Sequence, residues 1–423
     1  MDGYYAWMLV ATALVLMMTT PALALFYGGM TRSKSVLNMM MMSYSAMAVV
    51  GIIYVLWGWS MAFGPDDVGG LGLFADPTTL FALKGVEWGS YVAVCFQMTF
   101  AVITAALISG AIADRVKFSA WLVFLPLWIT ACYLPISHMV WASGVGFISK
   151  HLGAQDYAGG TVVHINAGVA GGILALIIGS RVGFRRDPMR PHNLTLTMVG
   201  AGLLWFGWYG FNVGSLVFLE GDGGAKDTAQ FMSETGVTFL NTTIATMAAM
   251  LGWLLTERLT HGKATSLGAA SGIVAGLVAI TPACGAVDVI GALAIGGVAG
   301  IFCALAVGLK YKLKLDDSLD VVGVHLVGGL VGTLLIGLFS TASAPGGIDG
   351  LFYGGGVESL LDQAGAAGIA IVWTGVLTTV IALAIKYTIG WRIDGDAEVE
   401  GIDAAEHGES AYDLVSGTGS HTF

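Results

Sequence analysis

The apolar positions of this chain fall into long unbroken blocks, and the polar positions are confined to the short stretches between them. Neither the alternation of a half-buried strand nor the one-sided stripe of a soluble helix is the dominant pattern. A helix crossing about 30 Å of hydrocarbon needs about 20 apolar residues at about 1.5 Å each. That rule predicts eleven spans, near 5–29, 40–63, 91–113, 118–141, 161–181, 194–218, 236–258, 265–283, 286–309, 321–340 and 366–390. The eighth is the weakest, being short and rich in Gly and Ala. The expected fold is an all-α polytopic membrane protein, with residues 1–390 as the transmembrane domain and 391–423 as an acidic tail.

Composition agrees. Hydrophobic residues make up 56%, charged residues only 11%, and mean hydropathy is +0.79, which excludes an ordinary soluble domain. The 62 glycines suit close helix contacts in lipid. Cys95, Cys132, Cys284 and Cys303 all lie in apolar blocks, with no CxxC spacing, so they predict neither a disulfide framework nor a metal site. Ala22 to Ala24 resembles a signal-peptidase site, but Asp2 and the absence of Lys or Arg before the first block favour a retained first span.

The net charge of -10 matters less than where the cations lie. With the N-terminus outside, the inner connections and flanks hold Arg32, Lys34, Arg115, Lys117, Arg181, Arg185, Arg186, Arg190, Arg258, Lys263, Lys310, Lys312, Lys314, Lys386 and Arg392. The outer loops hold Lys84, Lys150 and Lys226, a split of fifteen to three that predicts N-out and C-in. Two stretches share one plan. Asp156 precedes His164 by eight residues, and Gly168 and Gly171 follow at the fourth and seventh places; Asp317, His325, Gly329 and Gly332 repeat it. The histidines fall in spans five and ten, so the plan predicts two five-helix units of opposite sense, about 5–181 and 194–340, with the eleventh span outside.

An ionisable residue inside a bilayer is expensive, and a neighbouring helix can satisfy a lone His; two in matching frames point to a pathway. Other polar and aromatic groups gather near predicted outer ends: Phe96 to Phe100, His138 to Trp141, and Trp208 to Ser215. Taken singly, a Trp near a span end belongs to the interface belt. The tail carries Asp394, Asp396, Glu398, Glu400, Asp403, Glu406, Glu409 and Asp413, which fits either a solvated segment or one docked on the basic inner loops.

Taken together and in order, these stretches resemble the ammonium transporter family (Amt/Mep/Rh), of the prokaryotic Amt type. The resemblance is carried by Leu25 to Gly29, Phe96 to Phe100, His138 to Trp141, Asp156 to Asn166, Trp208 to Ser215, Thr281 to Gly285, Gly323 to His325, and the His407 to Glu409 segment of the tail. It implies an outer recruitment site for ammonium at Trp141, Phe100 and Ser215, and a stacked gate of Phe100 and Phe211. It implies an apolar pore lined by His164 and His325, with Asp156 as a buried carboxylate of structural importance. It also implies a homotrimer in the cell membrane, with a PII-type regulatory protein on the cytoplasmic face. No cofactor, metal or nucleic-acid partner is expected. The expected activity is transport, with the proton moving apart from the ammonia; a passive ammonia channel and an ammonium sensor are the alternatives. An enzyme is disfavoured, because no Ser or Cys nucleophile is placed beside the His/Asp pairs and no HExxH or Walker pattern occurs.

Overall fold

The computed structural model describes residues 2–187, 189–216 and 228–412. Lys226, the end of the sixth predicted span and Asp413 lie outside these residues. Among the described residues there is no β-strand, only isolated bridges. Ten helices among the described residues are long and apolar enough to cross a membrane: α1 (Gly3–Met30), α2 (Val36–Phe63), α3 (Trp88–Ile112), α4 (Phe118–Trp141), α5 (Gly160–Ile178), α6 (Leu194–Gly214), α7 (Ala229–His261), α9 (Val289–Leu313), α10 (Val322–Phe339) and α11 (Glu358–Thr388). Helices are the expected solution, since each closes its own backbone hydrogen bonds where lipid offers none.

The eighth predicted span is the shorter helix α8 (Ser266–Ile280). At 15 residues it extends about 22 Å, less than the hydrocarbon thickness. Two residues later Pro282 removes a donor and forbids continuation. Burial compensates for the short length: every residue from Ala270 to Ile280 is enclosed, and the helix packs on α6, α7, α9 and α10. By contrast, Leu251, Leu255 and Leu259 on α7, and Val372, Val376 and Val380 on α11, are exposed one turn apart. Such apolar stripes are what a bilayer covers.

The helices contact each other in matched positions. The first helices of the two five-helix stretches, α1 and α6, pack together, and so do the fifth helices, α5 and α10. α11 lies against both α5 and α10 from outside.

At the end of the bundle rich in Arg and Lys, the fully buried Arg115 donates to the carbonyls of Ala111, Ala113 and Asp316 and to Ser318 Oγ. Burial lowers its pKa to about 10, so it remains a cation at neutral pH. Arg181 joins the knot through an ion pair of 2.7 Å to Asp316 Oδ1.

The tail, as far as Tyr412, is packed onto this end. Its carboxylates occupy the N-termini of helices that have no side-chain cap of their own. Asp403 accepts from the N–H groups of Leu37 and Asn38 at 3.0 and 2.8 Å, at the start of α2. Glu406 accepts from Phe118 N–H at 2.8 Å, at the start of α4. Glu398 accepts from Val182 N–H and pairs with Arg392, and His407 Nε2 lies 3.0 Å from Asn38 Oδ1. Unpaired N–H groups and the positive end of the helix dipole give the acidic composition its purpose. Asp403→Ala removes one such cap, at a cost of about 1–2 kcal/mol. Amide exchange at residues 37 and 38 is expected to rise roughly 5- to 30-fold, and an unchanged rate would show that the cap contributes nothing.

Candidate functional site

An aromatic column runs through the interior from the C-terminus of α4. Trp141 meets Phe100 edge-on, with ring centroids 5.7 Å apart at 85°. Phe100 stacks on Phe211 at 4.0 Å and 16°. Phe211 lies 6.3 Å from His164, and His164 lies 5.3 Å from His325 at 24°. Trp208 flanks the column, stacked on His164 at 5.5 Å. Phe100 and Phe211 are fully buried, while Trp141 and Ser215 keep partial exposure. Beyond His325 the column ends at a cavity of about 10 Å³ bordered by Phe26, Tyr27, Ser271, Leu319 and Asp320. That volume is close to one water.

The two imidazoles touch through Nδ1, 3.3 Å apart. One Nδ1 must donate and the other accept, which ties the tautomers together. In a neutral pair one ring then offers a lone pair at Nε2 and the other an N–H. His164 Nε2 is buried and has no hydrogen-bond partner among the described residues. A small polar molecule between these rings would find one acceptor and one donor.

Local sequence explains how the rings are held. Both histidines sit in single π-helical turns, Gly160–Ile165 and Val322–Leu326, of the kind often found at functional sites. Each turn begins on a carboxylate eight residues ahead of its histidine. Asp156 Oδ1 accepts from Gly159 and Gly160 N–H at 2.8 and 2.6 Å, and Oδ2 from Thr161 and Val162 at 2.8 and 3.1 Å. Asp317 accepts from Val321 and Val322 at 2.9 and 2.7 Å. Burial pushes the Asp156 carboxyl above its usual pKa, against the pull of its four N–H donors. For Asp317, burial and then the nearby Asp320 push the same way, opposed by Lys310 and the backbone.

The glycines four places after each histidine carry the crossing of α5 and α10. A Cβ on Gly168 would sit 2.5 Å from Leu326 N, next to His325. One on Gly329 would sit 3.1 Å from His164 Cβ. Each segment therefore places its glycine against the other's histidine region, and any larger residue would push the rings apart.

Of the residues singled out from sequence, Phe100, Phe211, His164 and His325 lie in one column, and Trp141 caps it. Trp141 Nε1 donates to the Asp156 carbonyl at 2.8 Å, joining the end of α4 to the residue whose carboxylate starts α5. Ser215 Oγ, just past the end of α6, donates back to Phe211 O at 2.9 Å on the last turn of that helix. The place of Trp208 in the column was not legible: its indole N–H reaches Thr281 Oγ1 at 2.7 Å on the segment after α8, a contact that no spacing encodes.

Apolar helices with bilayer-facing stripes and a buried aromatic–imidazole column define a multi-pass integral membrane protein. A sequence profile of the Ammonium Transporter Family matches residues 6–412. The chain is 55% identical to the ammonium transporter of Mycobacterium tuberculosis over 451 aligned positions, covering 99% of this chain and 92% of that one. It is 45% identical to that of Aquifex aeolicus over 420 positions, covering 97% and 94%. Among solved structures it resembles a sensor Amt protein, with TM-score 0.84, 28% identity and coverage of 96% and 98%. It also resembles Saccharomyces cerevisiae Mep2, with TM-score 0.82, 32% identity and coverage of 93% and 88%. This chain belongs to the ammonium transporter family.

Asp156→Asn would leave two of its four N–H partners facing an amide N–H, at a cost of about 2–4 kcal/mol. The thermal unfolding midpoint in detergent is expected to fall accordingly; an unchanged midpoint would show that the carboxylate does not hold α5.

Proposed function

We propose that this chain carries ammonium across the cell membrane by separating it into ammonia, which passes the interior, and a proton, which moves apart from it. The observation that carries this reading is the Nδ1–Nδ1 contact of His164 and His325 beneath the stacked Phe100–Phe211 pair. The supporting physics is a comparison of two costs. A bare cation in an apolar interior costs tens of kcal/mol by Born reasoning, less after relaxation. Removing a proton from an amine that titrates near 10.4 costs about 4.6 kcal/mol at pH 7. Deprotonation is the cheaper route, and potassium has no proton to lose.

In this reading Trp141, Phe100 and Ser215 recruit the ion, cation–π attraction supplying up to about 2 kcal/mol when desolvated. Phe100 and Phe211 close the passage below, and His164 and His325 pass ammonia between one acceptor and one donor. Asp156 fixes the first of these rings. The orientation is N-out and C-in with eleven crossings, in two inverted five-helix units and a final helix. The assembly is a homotrimer, and a PII-type protein docks at the basic face that holds the tail.

Proteoliposomes given an ammonium pulse are expected to show a transient inward current with the uptake. Uptake without current would replace the electrogenic mechanism with passive ammonia conduction. His164→Asp or His325→Glu is expected to keep the fold and erode discrimination against potassium at least tenfold; unchanged selectivity would refute the deprotonation filter. The structural likeness to a sensor Amt protein favours ammonium sensing as a second reading. Binding without measurable flux in the same liposomes would select it.

A further inference from the structure

One turn before Trp141 on α4, a buried imidazole faces a partly buried carboxylate at a distance too long for a hydrogen bond. His138 is fully buried, and its Nδ1 lies 2.9 Å from the carbonyl oxygen of Ala62. That oxygen only accepts, so Nδ1 carries a proton. In a neutral ring Nε2 is then a lone pair. Asp67 Oδ1, another acceptor, lies 3.9 Å away. Both atoms are sealed from solvent, and neither has a hydrogen-bond partner among the described residues.

The Asp67 carboxylate belongs to a loop seated on the chain just after Trp141. Residues 66–76 turn back on themselves, with Val68 N–H donating to Phe74 O at 3.0 Å and Asp76 N–H to Asp66 O at 2.8 Å. Asp67 Oδ2 accepts from Gly72 N–H at 3.0 Å, and Gly72 O accepts from Phe147 N–H at 2.8 Å. Gly72 has φ +67, and a Cβ there would lie 2.4 Å from Val145 O, so the two backbones touch. One carboxylate thus links the loop to the 145–147 segment through one oxygen and faces α4 with the other.

We propose that His138 and Asp67 share a proton that fastens the 66–76 loop to the end of α4, which makes His138 a positioning residue for Trp141. With the proton on Nε2, the pair is a charge-assisted N–H···O contact that draws the loop down. Without it, two acceptors oppose each other in a dry gap and the loop loosens. Asp67 from the loop is the charged group facing the ring, and Ala62 O from α2 is its polar partner on the other side. The fastened state belongs to the protonated ring, so it is favoured at low pH and lost as pH rises. The positioning role rests on the reading of Trp141 as the outer recruitment residue.

The test uses the full chain purified in detergent and reconstituted in liposomes. Amide exchange at 66–76 and 142–147 is measured at pH 5 and pH 8 and corrected for the intrinsic rate. The wild type is expected to exchange at least tenfold faster at pH 8. Asp67→Asn supplies an amide N–H to Nε2 while its oxygen still accepts from Gly72, so it is expected to stay protected at both pH values. Gly72→Ala is expected to be unprotected at both. Wild-type exchange that ignores pH, or Asp67→Asn exchange that tracks the wild type, overturns the shared proton. The half-saturating ammonium concentration for uptake is then read over the same range. It is expected to shift about threefold or more in the wild type and to stay flat in Asp67→Asn. A flat wild-type profile with pH-dependent exchange overturns the positioning role. Absence of any wild-type flux with the exchange pattern intact counts against ammonium transport, not against the couple.

Discussion

The interior depends on two buried imidazoles held 3.3 Å apart in a largely apolar core. A ring in such a place drifts or tilts unless its backbone is fixed, because there is no water to satisfy an alternative pose. The chain fixes each ring twice. A carboxylate takes the first N–H groups of each histidine-bearing turn, Asp156 on one side and Asp317 on the other. A glycine one turn beyond each histidine lets the partner helix approach until the rings meet. The aspartate sets where each helix starts, and the glycine sets how close the two can lie.

The same economy governs the ends of the bundle. Helix N-termini expose donors that lipid cannot satisfy, and the structure meets them with carboxylates brought from elsewhere in the chain. Asp403 and Glu406 arrive from the tail to cap α2 and α4. These are contacts between residues more than 280 positions apart, so the tail belongs to the folded protein as far as Tyr412. A buried knot of Arg115, Arg181, Asp316 and Ser318 joins the loops after α3 and α5 to the start of α10. The buried arginines at this end therefore serve the fold.

Most of the architecture was legible in the chain. Long unbroken apolar blocks separated by polar breaks lack the alternation of barrel strands, so the all-helical character and the order of the helices follow from them. The exception is α8, where composition suggested a span but Pro282 ends the helix after 15 residues and burial takes the place of length. The duplicated Asp–His–Gly spacing was also visible. Its physical content, a cap followed by a close crossing, is local enough to be written in sequence.

What only tertiary structure decided is which side chains from different helices face one another. Phe100 and Phe211 stack although they lie on α3 and α6, and Trp208 reaches His164 sideways while its N–H is taken by Thr281. Ser215 was legible as a hydroxyl near the end of a span, but its bond to Phe211 O was not. The opposition of His138 and Asp67 was invisible, because an apolar helix end and a polar loop carry no shared period. Periodicity reports the face that a residue presents to its own helix axis. The rotation and crossing of one helix against another come from packing, and packing sums over neighbours that the linear order keeps far apart.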